Sequence, residues 1–197
     1  YFIVNNTGTN QFYLSQLNDG LSFTPINFVS AEGSPDIITK IVSTNSQLAI
    51  FGEKSYEWWY NSGDPLFPYQ RVPSSYNSIG LLAPESAAVI LNTVFFLGGN
   101  KDGFGTVYMS EGYQVNRIST YPIEAEIASI HNPSDAIGFT YQMDGHYFYV
   151  LSFQAGNKTF VYDIKEQAWH TRTSYSLISG KESRWNALFQ VFAFNKN

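Results

Sequence analysis

The chain has 197 residues, 44% hydrophobic and 17% aromatic, with only 14% charged and a net charge of -5. That is enough for one sizeable core, and 16 Phe with 14 Tyr favour β-structure over helix. Cys is absent, which removes disulfides and thiolate metal sites, and no basic tract offers the phosphate neutralisation that nucleic-acid binding draws on.

No apolar run reaches the roughly 18 residues that a membrane helix needs. The chain lacks an initiator Met and opens inside a strand-like run, Tyr1-Phe2-Ile3-Val4. It closes in another, Leu188 to Phe194, and both ends predict a piece of a longer protein.

In chain order, Phe12-Tyr13-Leu14 and Leu21-Ser22-Phe23 read as the second and third strands of an opening unit. Ile37 to Val42 follows as an innermost strand. Leu48-Ala49-Ile50-Phe51 is apolar on both faces, Gly52-Glu53-Lys54 turns the chain, and Tyr56-Glu57-Trp58-Trp59-Tyr60 returns. A strand apolar on one face suits a sheet with a wet side, whereas one apolar on both faces needs a layer above and a layer below. Phe67 to Val72 completes the unit.

The same order recurs twice. Leu82 to Val89, Val94-Phe95-Phe96-Leu97, Thr106-Val107-Tyr108-Met109 and Gln114 to Ser119 form one copy. Ala136 to Tyr141, Tyr147-Phe148-Tyr149-Val150-Leu151, Thr159-Phe160-Val161-Tyr162 and Trp169-His170-Thr171-Arg172 form the other. From Leu48 to Val94 is 46 residues, and from Val94 to Tyr147 is 53. Such a period, with three or four strands per unit, predicts an all-β chain of β-propeller-like blades, three to four antiparallel strands each, stacked so that each covers the next. An immunoglobulin-like sandwich would show cleaner alternation and shorter spacing. Tyr121 to Ala128, with Pro122 near its start, reads as one short helix between blades. No linker divides the chain, so residues 1–197 are expected to be a single propeller domain, or a propeller fragment, of a longer protein.

Motifs for chemistry are sparse. Gly98 to Gly105 has the glycine spacing of a phosphate loop, but Phe104-Gly105 stands where Lys and Ser or Thr are required, so Asp102-Gly103 reads as a hairpin turn. His131, His146 and His170 show no metal-ligand spacing, and His146 follows an Asp144-Gly145 turn. No G-x-S-x-G elbow occurs. Glu32, Asp36, Glu53, Glu57 and Asp64 lie close in sequence, as the paired carboxylates of a glycosidase must in space. The simpler reading puts Glu53 and Asp64 in solvated turns and bonds Glu57 to a neighbouring strand or backbone. Trp58 and Trp59 point to opposite faces, one packed between blades and the other available as a sugar-stacking platform or interface anchor. Asn5-Asn6-Thr7 and Asn157-Lys158-Thr159 match the glycosylation sequon at a frequency that chance explains.

Taken together, the run Phe28 to Asp36, then Phe51-Gly52-Glu53-Lys54-Ser55-Tyr56-Glu57-Trp58-Trp59, Gly63 and Phe67-Pro68-Tyr69-Gln70-Arg71 resembles the packaged-DNA stabilisation protein family of short-tailed phages. Arg117-Ile118-Ser119-Thr120 with Glu124, Asp144 to Leu151, and Tyr162-Asp163 with Trp169-His170 continue the resemblance. It implies a virion tail hub, made in the bacterial cytoplasm, that closes the portal channel on packaged DNA. The partners implied are the portal, its adaptor, the tail needle and further copies in a ring, without a membrane or sequence-specific nucleic-acid contact. It implies no enzyme, no catalytic or metal-binding residue and no cofactor. Glu57, Trp58, Trp59 and Arg71 are the expected interface residues. A carbohydrate-binding or carbohydrate-active propeller is the alternative.

Overall fold

A computed structural model describes residues 1–31, 33, 36–65, 67–99 and 105–191. It is an all-β chain of short antiparallel sheets, dividing into two compact units, Tyr1–Leu81 and Leu82–Asn197.

In the first unit β1 (Ile3–Asn5), β2 (Gln11–Gln16) and β3 (Asp19–Ser30) form a three-stranded sheet in that order. A four-stranded sheet follows: β4 (Ile38–Thr44), β5 (Gln47–Gly52), β6 (Tyr56–Asn61) and β7 (Tyr69–Arg71). The two-residue β8 (Gly80–Leu81) ends the unit. Strand alternation sends Leu48 and Ile50 to one face of β5 and Ala49 and Phe51 to the other, and all four are buried. Leu48 and Ile50 join Phe12, Ile38 and Trp59 in the core, where the Phe12 ring meets Trp59 edge-on at 5.3 Å. On the opposite face Phe51 stacks on Tyr56 at 5.1 Å.

The second unit repeats the pattern. One sheet holds β9 (Ala88–Ile90), β10 (Thr93–Gly99), β11 (Gly105–Glu111) and β12 (Gln114–Arg117); the next holds β13 (Ile137–Met143), β14 (His146–Phe153), β15 (Lys158–Asp163) and β16 (Ala168–Thr171). Between them runs α1 (Tyr121–Ala128), at the expected residues, with Ile127 buried beneath it. Phe95 and Leu97 of β10 share a core with Tyr149, Leu151 and Phe153 of β14, so the two sheets stack face to face. The Tyr149 ring lies on Phe95 at 5.3 Å, and its hydroxyl donates to the Ser86 carbonyl at 2.8 Å. Burial pushes that hydroxyl's pKa far up, so it remains a donor. Phe148 and Val150, on the other face of β14, pack with Phe139, Tyr141 and Val161 under Trp185. There the Arg172 guanidinium lies 5.0 Å from the Trp185 ring and 5.3 Å from Tyr141.

Several expectations need correction. The strand expected over Leu82–Val89 is broken by a 3-10 turn at Pro84–Ser86, because Pro84 has no N–H to give a ladder. The Ser86 hydroxyl accepts from Leu97 N–H at 3.0 Å in place of a strand carbonyl. The third strand of the opening unit is not Leu21 to Phe23 alone but twelve residues, β3, with register shifts against β2. Residues 188–191 form no strand, and 192–194 lie outside the described residues. A hairpin of β17 (Thr173–Ser176) and β18 (Lys181–Arg184) was not foreseen. The Asp102-Gly103 turn also lies outside the described residues, although Gly99 pairs with Gly105 across its base.

Each inner hairpin turns through two residues with positive φ: Asn45-Ser46, Leu91-Asn92 and Asp144-Gly145. Paired left-handed residues match the right-handed twist of the flanking strands, which explains the same device recurring at the same place.

Tyr149→Phe leaves the packing in place and the buried Ser86 carbonyl without its donor. It is expected to cost about 1–2 kcal/mol of stability. An unchanged urea midpoint would show that this bond contributes nothing to holding the second unit together.

Candidate functional site: carboxylate ties and an uncovered sheet face

The residues that carry the family resemblance converge on four carboxylates, each of which ties a loop to its sheet. Asp36 accepts from the Lys54 N–H at 2.7 Å and the Ser55 hydroxyl at 2.9 Å, closing the turn after β5. A side chain at Gly52 would run into the Asp36 carboxylate, so the closeness of that turn requires glycine. Glu57, on β6, is buried. It accepts from Trp59 Nε1 at 2.8 Å and the Gly33 N–H at 3.0 Å, with the Arg71 guanidinium 3.8 Å away. A buried charge is tolerable only with such donors around it.

Glu124, in the first turn of α1, takes a two-pronged pair from Arg117 at 2.7 and 2.6 Å and the Ser119 hydroxyl at 2.6 Å. Ser119 in turn accepts from Val107 N–H at 3.0 Å, so β11, β12 and α1 are joined through one side chain. Asp163 closes the β15–β16 turn by accepting from the Lys165 and Glu166 N–H groups at 2.9 and 3.2 Å. Its other oxygen lies 2.6 Å from His146 Nδ1. Burial acts to raise the Asp163 pKa, but the Glu166 N–H, the His146 ring and the Lys165 N–H outweigh it and hold it below the ordinary 3.8. The carboxylate is therefore ionised at neutral pH, and Nδ1 carries the proton that it donates.

These ties place the expected residues as follows. Trp58 and Trp59 are both buried, so neither offers the stacking platform foreseen for one of them. Glu57 is engaged inside, and Arg71 alone of the four presents much of its side chain, 44%, to solvent. Glu53 is exposed and Asp64 half-buried, Asp36 and Glu57 bond as described, and Glu32 lies outside the described residues. His131 and His170 are exposed, apart from the His146–Asp163 pair. Among the described residues no three His, Asp or Glu side chains converge as metal ligands, and no helix is long and apolar enough to cross a membrane. Beside α1, a groove of about 580 Å³ is lined by Tyr108, Arg117, Tyr121 and Glu124, and its one cation is neutralised by the Arg117–Glu124 pair.

Sequence reasoning missed the outward face of the β1–β3 sheet. The register sets Val4 opposite Tyr13 and Tyr13 opposite Phe28, a row of apolar side chains on which Val4 and Phe28 remain 46% and 40% exposed. The Tyr13 and Phe28 rings lie 5.5 Å apart, tilted at 33°. A signal was available: residues 1–31 contain one charged side chain, Asp19.

A family model described as "Bacteriophage P22 Gp10, beta-propeller" matches residues 1–197. The chain belongs to this family. It is a bacteriophage structural protein of the β-propeller type, in agreement with the resemblance in the motifs and with the repeated antiparallel sheets of three to five strands. No curated protein matches the sequence. Among solved structures, the crystal structure of the N-terminal domain of Nup159 is similar over 88% of this chain, at 13% identity and a TM-score of 0.38. The match takes in 54% of that chain, so this chain spans about half its length. In this chain the four motif carboxylates are thus internal fasteners of the sheets.

Because the Asp163 carboxyl titrates below its ordinary value in the folded chain, its stabilisation is fully present above that value and is lost as the pH falls from it through the lower value of the folded state. Asp163→Asn is expected to unfold more easily at neutral pH and to lose less than the unsubstituted chain between about pH 5 and pH 3. Urea midpoints measured across that range decide the matter; parallel curves for the two proteins would rule out a role for the carboxylate in acid stability.

Proposed function

We propose that this chain is a tail hub component of a short-tailed phage virion, a single propeller domain over residues 1–197 that helps to close the portal channel and retain packaged DNA. The observation that carries this reading is the family match over the whole chain, with the motif residues serving as ties within the sheets. Asp36, Glu57, Glu124 and Asp163 each accept from two or more donors, which suits a body that bears load and performs no catalysis. The low charge and the acidic balance suit a channel closure that does not hold DNA tightly.

Its partners in this reading are the portal, the adaptor, the tail needle and further copies of itself in a ring. Arg71, at the outer edge strand β7, is the most available of the expected interface residues. Glu57, Trp58 and Trp59 support that edge from within. No described feature favours the carbohydrate reading, since its motivating Trp pair is inside.

Negative-stain imaging of portal–adaptor complex mixed with this chain tests the proposal. Added density at the tail end of the portal is expected, and Arg71→Glu is expected to weaken it. Complexes that look the same with and without the chain would overturn the hub assignment.

A further inference from the structure

We propose that the outer edge of β3, over residues 26–30, is a strand-addition site. It takes an extended segment of another polypeptide, with one aliphatic side chain seated in the groove between β3 and β7. The proposal stands on the edge itself and is independent of the hub reading. β3 is the last strand of its sheet and runs for twelve residues. The strands that end the following sheets, β7, β12 and β16, have three, four and four. A long open edge is a template for pairing with a further chain unless something blunts it. The first half of β3 is blunted, since register shifts interrupt its pairing with Ser15 and Gln16, and Pro25 has no N–H to offer. The second half is regular, with Phe28 opposite Tyr13, Val29 opposite Phe12 and Ser30 opposite Gln11.

The ladder fixes which backbone groups are left over. The Ala31 N–H donates to the Asn10 carbonyl at 2.8 Å. Hydrogen-bonded pairs alternate along an antiparallel ladder, so Val29 bonds to β2, while the N–H and C=O of Phe28 and Ser30 point away from it. No described residue bonds to those four groups. Donors and acceptors repeated two residues apart along an extended backbone are the complement of another extended chain, which identifies the occupant by its main chain.

Its side chains are identified by the groove. Directly opposite residues of paired strands share a face, so the residue added opposite Val29 projects to the side where Val29, Phe67 and Tyr69 pack against the Phe12–Trp59 core. A groove of about 340 Å³ opens there, lined by Val29, Trp59, Phe67 and Tyr69 with Asp64 and Arg71. Four of these six are apolar, and Asp64 and Arg71 contribute opposite charges, so the groove fits an uncharged aliphatic side chain. Backbone pairing supplies affinity and the groove supplies selectivity, the division of labour found wherever a strand is added to a sheet edge.

The probe is the acetylated and amidated heptapeptide Thr-Val-Thr-Leu-Thr-Val-Thr, titrated into the isotope-labelled 197-residue chain and followed by NMR amide exchange. A dissociation constant on the order of 100 µM is expected, with exchange slowed at least about tenfold at the Phe28 and Ser30 amides. The same peptide N-methylated on the two Thr residues that flank Leu keeps its side chains and loses the donors that pair with Phe28 and Ser30. It is expected to bind at least about tenfold more weakly. Ser30→Pro removes one outward N–H without touching the bonds to β2, and is expected to weaken the unmodified peptide to a similar degree. Should that variant fail to fold by circular dichroism, the N-methylated peptide decides. Absence of binding up to about 2 mM overturns the proposal. So does equal binding of the two peptides, binding that a folded Ser30→Pro chain leaves unchanged, or slowed exchange confined to amides away from β3.

Discussion

Burying both faces of a β-strand is the constraint on which the rest of this molecule depends. A buried strand must satisfy its backbone through neighbours in the same sheet and its side chains through layers above and below. In β5, β10 and β14 successive residues are buried regardless of which way they point: Leu48 with Ala49, Phe95 with Phe96, Tyr149 with Val150. Each lies inside its sheet, with a neighbour strand on both sides. In the second unit the apolar faces of two such sheets close on each other through Phe95 and Tyr149, and a polar bond from Tyr149 to Ser86 fixes their register. A four-stranded sheet cannot achieve this burial alone, so stacking is an energetic necessity of the strand composition.

Stacked apolar sheets are specific in layer order but weak in detail: apolar contact is non-directional and leaves loops free. The four carboxylates provide direction. Asp36, Glu57, Glu124 and Asp163 each accept from donors on a different segment, binding a turn, a loop or a helix to its sheet. All of them accept from at least two donors, and those that are buried thereby avoid the penalty of an unpaired charge. These four carboxylates and most of their donors lie within the residue patterns that carry the kinship with the phage propeller family. For a structural protein that is coherent, because what such a protein must retain is its shape.

One sheet of each unit carries a further apolar face, and the two faces are treated differently. The β13–β16 face is capped by Trp185, with Arg172 among the rings of Tyr141, Phe148 and Trp185. The β1–β3 face has no such cap among the described residues, and its aromatic row stays partly in water.

Strand composition alone established the all-β class, the repeat of near 50 residues, the order of strands within each unit and the helix at Tyr121–Ala128, because these follow from local periodicity and turn chemistry. Asp144-Gly145 was legible as a turn for the same reason, whereas Leu91-Asn92 was not, since Leu has no local preference for positive φ. The motif residues were legible as a set but not in their roles. Which donor reaches Glu57 or Asp163 depends on segments 17 to 24 residues away meeting in space. The burial of both Trp58 and Trp59, the break at Pro84–Ser86, and the open row of Val4, Tyr13 and Phe28 were likewise decided only by tertiary structure. Alternation assigns a side chain to one of two faces, and only the packing of other segments determines whether that face is covered.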